Sequence, residues 1–142
     1  MALTSEASAV WSGDLAGGNG SISLDSSKLA TFDYNWKARS EGENGVTTPE
    51  ELLGAAHAGC FAMAFANELA SAGHTPTRVA ATAAVSFDIS KGGITGSHLL
   101  VNAEVPGISE EEFQKIAAAA KEGCPVSKAL AGVNITLEAT LA

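Results

Sequence analysis

Residues 48–73, TPEELLGAAHAGCFAMAFANELASAG, decide how this 142-residue chain folds. Thr48 suits an N-cap, Pro49 suits the first helical position where its missing N–H costs nothing, and Glu51 completes a capping box. From residue 52 to 72 no proline interrupts, alanine dominates, and apolar side chains run almost all round the helical wheel. Gly73 supplies the C-terminal stop. A helix without a polar stripe belongs in an interior, so the stretch predicts a long buried central helix. Its near-apolar run, 52–66, is interrupted by His57 and falls short of the ~20 residues a membrane span needs.

The flanks read as strands and shorter helices. Gly17-Gly18-Asn19-Gly20 predicts a hairpin turn between strands over 9–11 and 21–25. Phe32, Tyr34, Trp36 and Ala38 alternate with Asp33, Asn35, Lys37 and Arg39, which predicts a half-buried strand with Arg39 on its polar side. Downstream, Val85, Phe87 and Ile89 alternate with polar residues, and Lys91-Gly92-Gly93 turns the chain toward a strand over 99–105. Ser109 and Glu112 form a second capping box, opening a helix that runs to about residue 122 and ends at Gly123. Pro125 starts a short helix through 131, and Val133, Ile135, Leu137, Ala139 and Leu141 alternate in a last strand. The order predicts one α+β domain over 1–142, with a largely antiparallel sheet.

Composition narrows the function. With 46% hydrophobic and 17% charged residues the chain has the balance of a globular protein. Eight Lys+Arg against sixteen Asp+Glu give a net charge of −8, and the only arginines are Arg39 and Arg78. That balance argues against nucleic acid or an anionic membrane as partner. No cationic start with an apolar run marks a signal peptide, so the expected compartment is the cytoplasm. Cys60 and Cys124 are the only cysteines and form no CxxC, too few for a stapled secreted scaffold.

Those cysteines are nonetheless the best candidates for chemistry. Cys60, with Leu53, Ala56 and Met63 near it on the helix, reads either as a small buried hydrophobe or as a reactive thiol. Cys124 lies between a helix-ending glycine and a helix-starting proline, where N–H groups would stabilise a thiolate. The alternative is a cysteine merely tolerated at a helix start. His57 and Cys60, at i and i+3, share a helix face that Cys124 could join, but zinc would want a further ligand or water. A hydrogen-bonded core histidine is the plainer reading of His57, and no metal is expected. No G-x-S-x-G turn supports a serine nucleophile.

Residues 48–61, Thr-Pro-Glu-Glu-Leu-Leu-Gly-Ala-Ala-His-Ala-Gly-Cys-Phe, resemble the cysteine-bearing helix of the osmotically inducible protein C and organic hydroperoxide resistance (OsmC/Ohr) family. Gly123-Cys124-Pro125-Val126-Ser127 resembles its second cysteine motif, and the order of elements agrees along nearly the whole chain. The resemblance implies the OsmC-like fold, assembled as an intertwined homodimer with two sites at the subunit interface. It also implies a thiol peroxidase that acts on organic hydroperoxides in stress defence.

Carried over, Cys60 is the peroxidatic thiol, Cys124 the resolving thiol, and Glu50 the family's glutamate. Arg39 matches an arginine that stands just before the long helix in the OsmC branch, and His57 favours that branch too. Arg39 would hold Cys60 as a thiolate and polarise the peroxide, with Glu50 pinning the guanidinium. The disulfide would be reduced by an external dithiol such as a protein-bound lipoyl group, with no cofactor, metal, haem or flavin. Phe61, Met63 and Phe65 would suit an alkyl tail, though each equally suits ordinary core packing. Two other readings stand beside the enzyme: a dimeric protein binding a lipid-like ligand with inert cysteines, and a redox switch using the same disulfide.

Overall fold

The structure, a computed structural model, describes all 142 residues. Its elements run β1 (Ala7–Ser12), β2 (Asn19–Leu24), β3 (Thr31–Tyr34), α1 (Trp36–Glu41), α2 (Pro49–Ser71), β4 (Arg78–Asp88), β5 (Gly93–Glu104), α3 (Glu110–Gly123), α4 (Pro125–Ala129) and β6 (Asn134–Leu141). They form two compact units, Met1–Pro49 and Glu50–Ala142. The expected α+β class holds, with the strands divided between two three-stranded sheets. No helix is long and apolar enough to cross a membrane.

The N-terminal unit is an antiparallel meander, β1-β2-β3. Gly20 pairs with Trp11 on one side and Tyr34 on the other. The two rings meet edge-on over it, their centroids 5.3 Å apart. A Cβ at Gly20 would stand 2.6 Å from Tyr34 Cε1 and 2.9 Å from Trp11 Cε3, so only glycine admits this pair. The hairpin turn lies just ahead of its expected place, with β2 already extended at Asn19.

Beyond Tyr34 the expected strand gives way. Asn35 is extended and its side-chain oxygen accepts from Ala38 N–H at 2.7 Å, capping α1. A capped turn satisfies N–H groups that an edge strand would leave to solvent, and four alternating residues are too few to outweigh it. Arg39 therefore belongs to the last turn of a helix, not to the polar face of a strand.

In the C-terminal unit, β4 pairs antiparallel with β5, and β5 pairs parallel with β6. The parallel pair follows from the connection: α3 and α4 lie between β5 and β6, and such a crossover brings the chain back in the same direction. β4 and β5 begin well before their expected starts, and Ile89 turns with Ser90 and Lys91 in a short 3-10 helix.

Ser97, Leu99, Val101 and Ala103 of β5 face inward at every second position. Phe61, Phe65 and Leu69 of α2 and Phe113, Ala117 and Ala120 of α3 join the same core. Phe65 rings lie 5.5 Å from Phe61 and 5.4 Å from Phe113. Burying each phenylalanine contributes roughly 1.5–3 kcal/mol. Gly54 brings α2 against β4, where a Cβ would stand 2.8 Å from the Ala83 carbonyl oxygen.

α2 was expected to be covered on every side. Within one chain it buries only the stripe Glu50, Gly54, His57, Phe61, Phe65 and Leu69. Ala55, Ala56, Gly59 and Met63 are exposed, Met63 at 76%. A sheet and one helix cover one side of a cylinder, and the pattern of α2 is apolar on both.

Candidate active site

Cys60 stands at mid-length of α2, one position before the buried Phe61, and is half-buried. Cys124 is fully buried because it continues the inward spacing of Phe113, Ala117 and Ala120 beyond the end of α3. It both closes α3, donating its N–H to Ala120 O at 2.9 Å, and opens α4, accepting from Lys128 N–H at 3.0 Å. Pro125 at the first position of α4 makes this sharp joint possible.

The two free thiols are close enough that each acts on the other's ionisation. Burial first, and then the bond to Cys124, push the Cys60 thiol above its ordinary value, while the Val126 N–H works the other way. Burial also acts to raise Cys124. There the bonds from Cys60, from the Ser127 N–H and hydroxyl, and from the Val126 N–H outweigh burial and hold it below its ordinary value. The pair thus loses its first proton most readily from Cys124, and Cys60 needs further help to ionise.

His57 is fully buried on α2. Nδ1 lies 2.7 Å from Ser97 Oγ on β5, and Nε2 lies 2.8 Å from Ser127 Oγ on α4. Burial lowers its pKa, so the ring is neutral. With both nitrogens engaged by hydroxyls it is the hydrogen-bonded core histidine of the plainer reading. Every buried side-chain nitrogen and oxygen in the chain has a partner.

Glu50 is buried in the first turn of α2 while Glu51 is exposed, which separates the two carboxylates by environment. Arg39 lies in the N-terminal unit, where Trp11, Leu15, Tyr34, Asn35, Trp36 and Arg39 line a cavity of about 250 Å³. This aromatic cavity, with Arg39 in its lining, was not visible in the sequence, since its walls come from β1, β3, α1 and the residues between these elements.

Ser97 and Ser127 were also missed as members of the site. A signal existed for Ser97: it is the one polar residue in the inward register Ser97, Leu99, Val101, Ala103. A polar group at a core position needs a partner, and the lone histidine of an apolar helix was available.

Comparison with known proteins agrees with this architecture. A family profile described as "OsmC-like protein" matches residues 42–138. The chain is 43% identical to "Peroxiredoxin OsmC" of Escherichia coli over 140 residues, covering 97% of this chain and 96% of that one. It superposes on the crystal structure of an organic hydroperoxide resistance protein from Elizabethkingia anophelis with a TM-score of 0.73, at 26% identity and 100% coverage of both chains. An organic hydroperoxide resistance protein OsmC from Legionella pneumophila gives 0.72, at 26% identity and 98% coverage of both.

Proposed function

The chain belongs to the OsmC-like family, and from that premise we propose that it is a thiol peroxidase reducing organic hydroperoxides to alcohols in cytoplasmic stress defence. The observation that carries the reading is the pair of free thiols, Cys60 and Cys124, close enough that each acts on the other's ionisation. In the first step a Cys60 thiolate attacks the peroxide, the O–O bond breaks, and the alkoxide leaves with a proton as alcohol. Cys60 is then a sulfenic acid. Cys124 attacks that sulfur, the S–O bond breaks, and hydroxide departs with the Cys124 proton as water. The resulting disulfide protects Cys60 from further oxidation, and an external dithiol, of the protein-bound lipoyl type, restores both thiols by exchange.

A thiol near its ordinary pKa is only a few per cent ionised at neutral pH, and burial lowers that fraction for Cys60. We assign its activation to Arg39, whose guanidinium pairs with the sulfur, and we assign to Glu50 the bidentate bond that holds the guanidinium. The exposed apolar face of α2, with Ala55, Ala56, Gly59 and Met63, supports a homodimer in which a second copy covers that face.

Steady-state turnover tests the reading. The parent with a dithiol should consume tert-butyl or cumene hydroperoxide faster than hydrogen peroxide, and Cys60→Ser should consume neither. Stoichiometric thiol oxidation without turnover would replace the enzyme by a redox switch. No oxidation at all would leave a ligand-binding protein.

A further inference from the structure

The aromatic side chains differ in the surface they leave open. Phe61, Phe65 and Phe113 have none and belong to the core of the C-terminal unit, so the alkyl tail expected against Phe61 and Phe65 finds no surface there. Trp11, Tyr34 and Trp36 are both tryptophans and the only tyrosine of the chain. They are half-buried and, with Leu15 and Arg39, line one cavity of the N-terminal unit. Aromatic rings are large apolar surfaces that folding ordinarily buries. Three of them around open space leave that surface to a ligand.

The walls are held before anything binds. The Trp11 indole N–H donates to the Asp14 carbonyl at 3.2 Å, and the Trp11 and Tyr34 rings meet edge-on over Gly20. Trp36 and Arg39 are the first and fourth residues of α1, and a spacing of three puts them on one face of a helix. On the strand expected from the alternation they would have pointed to opposite faces. The Asn35 cap that makes α1 thus brings a cation to the aromatic wall. Walls already fixed lose little freedom when a ligand arrives.

We propose, building on the peroxidase reading, that this cavity holds the organic group of the hydroperoxide and selects compact aryl hydroperoxides. The cavity of about 250 Å³ has room for about eight waters at ~30 Å³ each, which suits a phenyl ring with a short branch. A fatty-acyl chain would leave much of its length in water, where its methylenes gain nothing. The ring lies against Trp11, Tyr34 and Trp36. The O–O group at its end is directed to the Arg39 guanidinium, the group already assigned to the reacting sulfur. An apolar pocket in which a single polar group fixes orientation is the ordinary form of a small-molecule site. The three aromatic residues are then specificity-determining: they act on the organic group, so hydrogen peroxide gains nothing from them.

Two of the walls are the chain's only tryptophans, so occupancy can be read without turnover. In the parent protein, tryptophan emission should change saturably with 2-phenyl-2-propanol, the alcohol formed from cumene hydroperoxide. Half-saturation with tert-butanol should need at least about tenfold more. In steady-state kinetics, Trp36→Leu should lower the ratio of kcat/KM for cumene hydroperoxide over tert-butyl hydroperoxide by about tenfold. Trp36→Phe, which keeps a ring, should retain most of that ratio. A merely structural loss would slow both substrates alike. An unmoved ratio in folded Trp36→Leu overturns the proposal and leaves the peroxidase reading intact. So does tryptophan emission that never responds to the alcohol, a result that needs no variant to fold. A parent that binds the alcohol yet turns over no hydroperoxide removes the peroxidase reading and leaves an aryl-binding cavity.

Discussion

The thiol of Cys60, at the middle of α2, neighbours the thiol of Cys124, at the joint between α3 and α4, and each acts on the other's ionisation. A disulfide asks for sulfurs about 2 Å apart. Oxidation of the pair therefore has to draw the two sulfurs into covalent contact.

The first prediction follows from that contact. One equivalent of cumene hydroperoxide should convert the parent to a species lighter by two hydrogens, as mass spectrometry would show. Cys124→Ser should retain the oxygen on Cys60 as a sulfenic or over-oxidised group. Two free thiols persisting through turnover would refute the disulfide.

Arg39→Lys should lower kcat/KM for organic hydroperoxides by about a hundredfold, roughly 2.7 kcal/mol of transition-state stabilisation. Lysine keeps the charge but cannot make a bidentate pair with a carboxylate while facing the sulfur. The measurement is steady-state kinetics together with the Cys60 alkylation rate against pH. Unchanged values would leave Arg39 without a part in the chemistry.

Glu50 and Cys60 are ten residues apart on α2, about 15 Å along the axis at ~1.5 Å per residue. No glutamate side chain spans that rise, so we expect Glu50 of one subunit to serve Cys60 of the other in a two-fold dimer. Mixing inactive Glu50→Gln with inactive Cys60→Ser should regain activity, because one site of each heterodimer then holds both native groups. Confirmed heterodimers without activity would place both groups on one chain.

Gly54→Ala should destabilise the fold by about 1–3 kcal/mol, even though alanine is the better helix former by about 1 kcal/mol. The new Cβ meets the Ala83 carbonyl oxygen at 2.8 Å, and backbone cannot swing aside as a side chain would. Urea denaturation midpoints decide the matter, and a stabilised variant would show that α2 and β4 separate freely.

His57 links stability to pH. Its folded pKa lies below the ordinary 6.5 because burial disfavours the imidazolium. Its contribution is complete above about pH 6.5. As pH falls below that value the unfolded chain binds a proton that the folded chain does not, costing up to ~1.4 kcal/mol per unit until the folded pKa is reached. His57→Gln should remove this part of the acid slope. Equal slopes for parent and variant in urea titrations at pH 7.5, 6.5 and 5.5 would contradict it.

Much of this protein was determined by local sequence alone. Pro49, the alanine-rich run after it and Gly73 define α2, because the signals that start, propagate and stop a helix act within a few residues. Ser109 caps α3 and Pro125 starts α4 for the same reason, and the alternation of Ile135, Leu137, Ala139 and Leu141 makes β6 half-buried. The two cysteine motifs pointed to the family because each is a short local pattern at one end or the middle of its own helix. Tertiary structure decided the rest. Asn35 diverted the chain from strand to helix by a capping bond that alternation does not register, and so moved Arg39. The parallel pairing of β6 depends on where α3 and α4 return the chain. Above all, the hydrogen bonds Ser97–His57–Ser127 join β5, α2 and α4. Hydrogen bonds between residues so far apart in sequence leave no periodic trace, and only packing, which forces buried polar groups to find partners, brought them together.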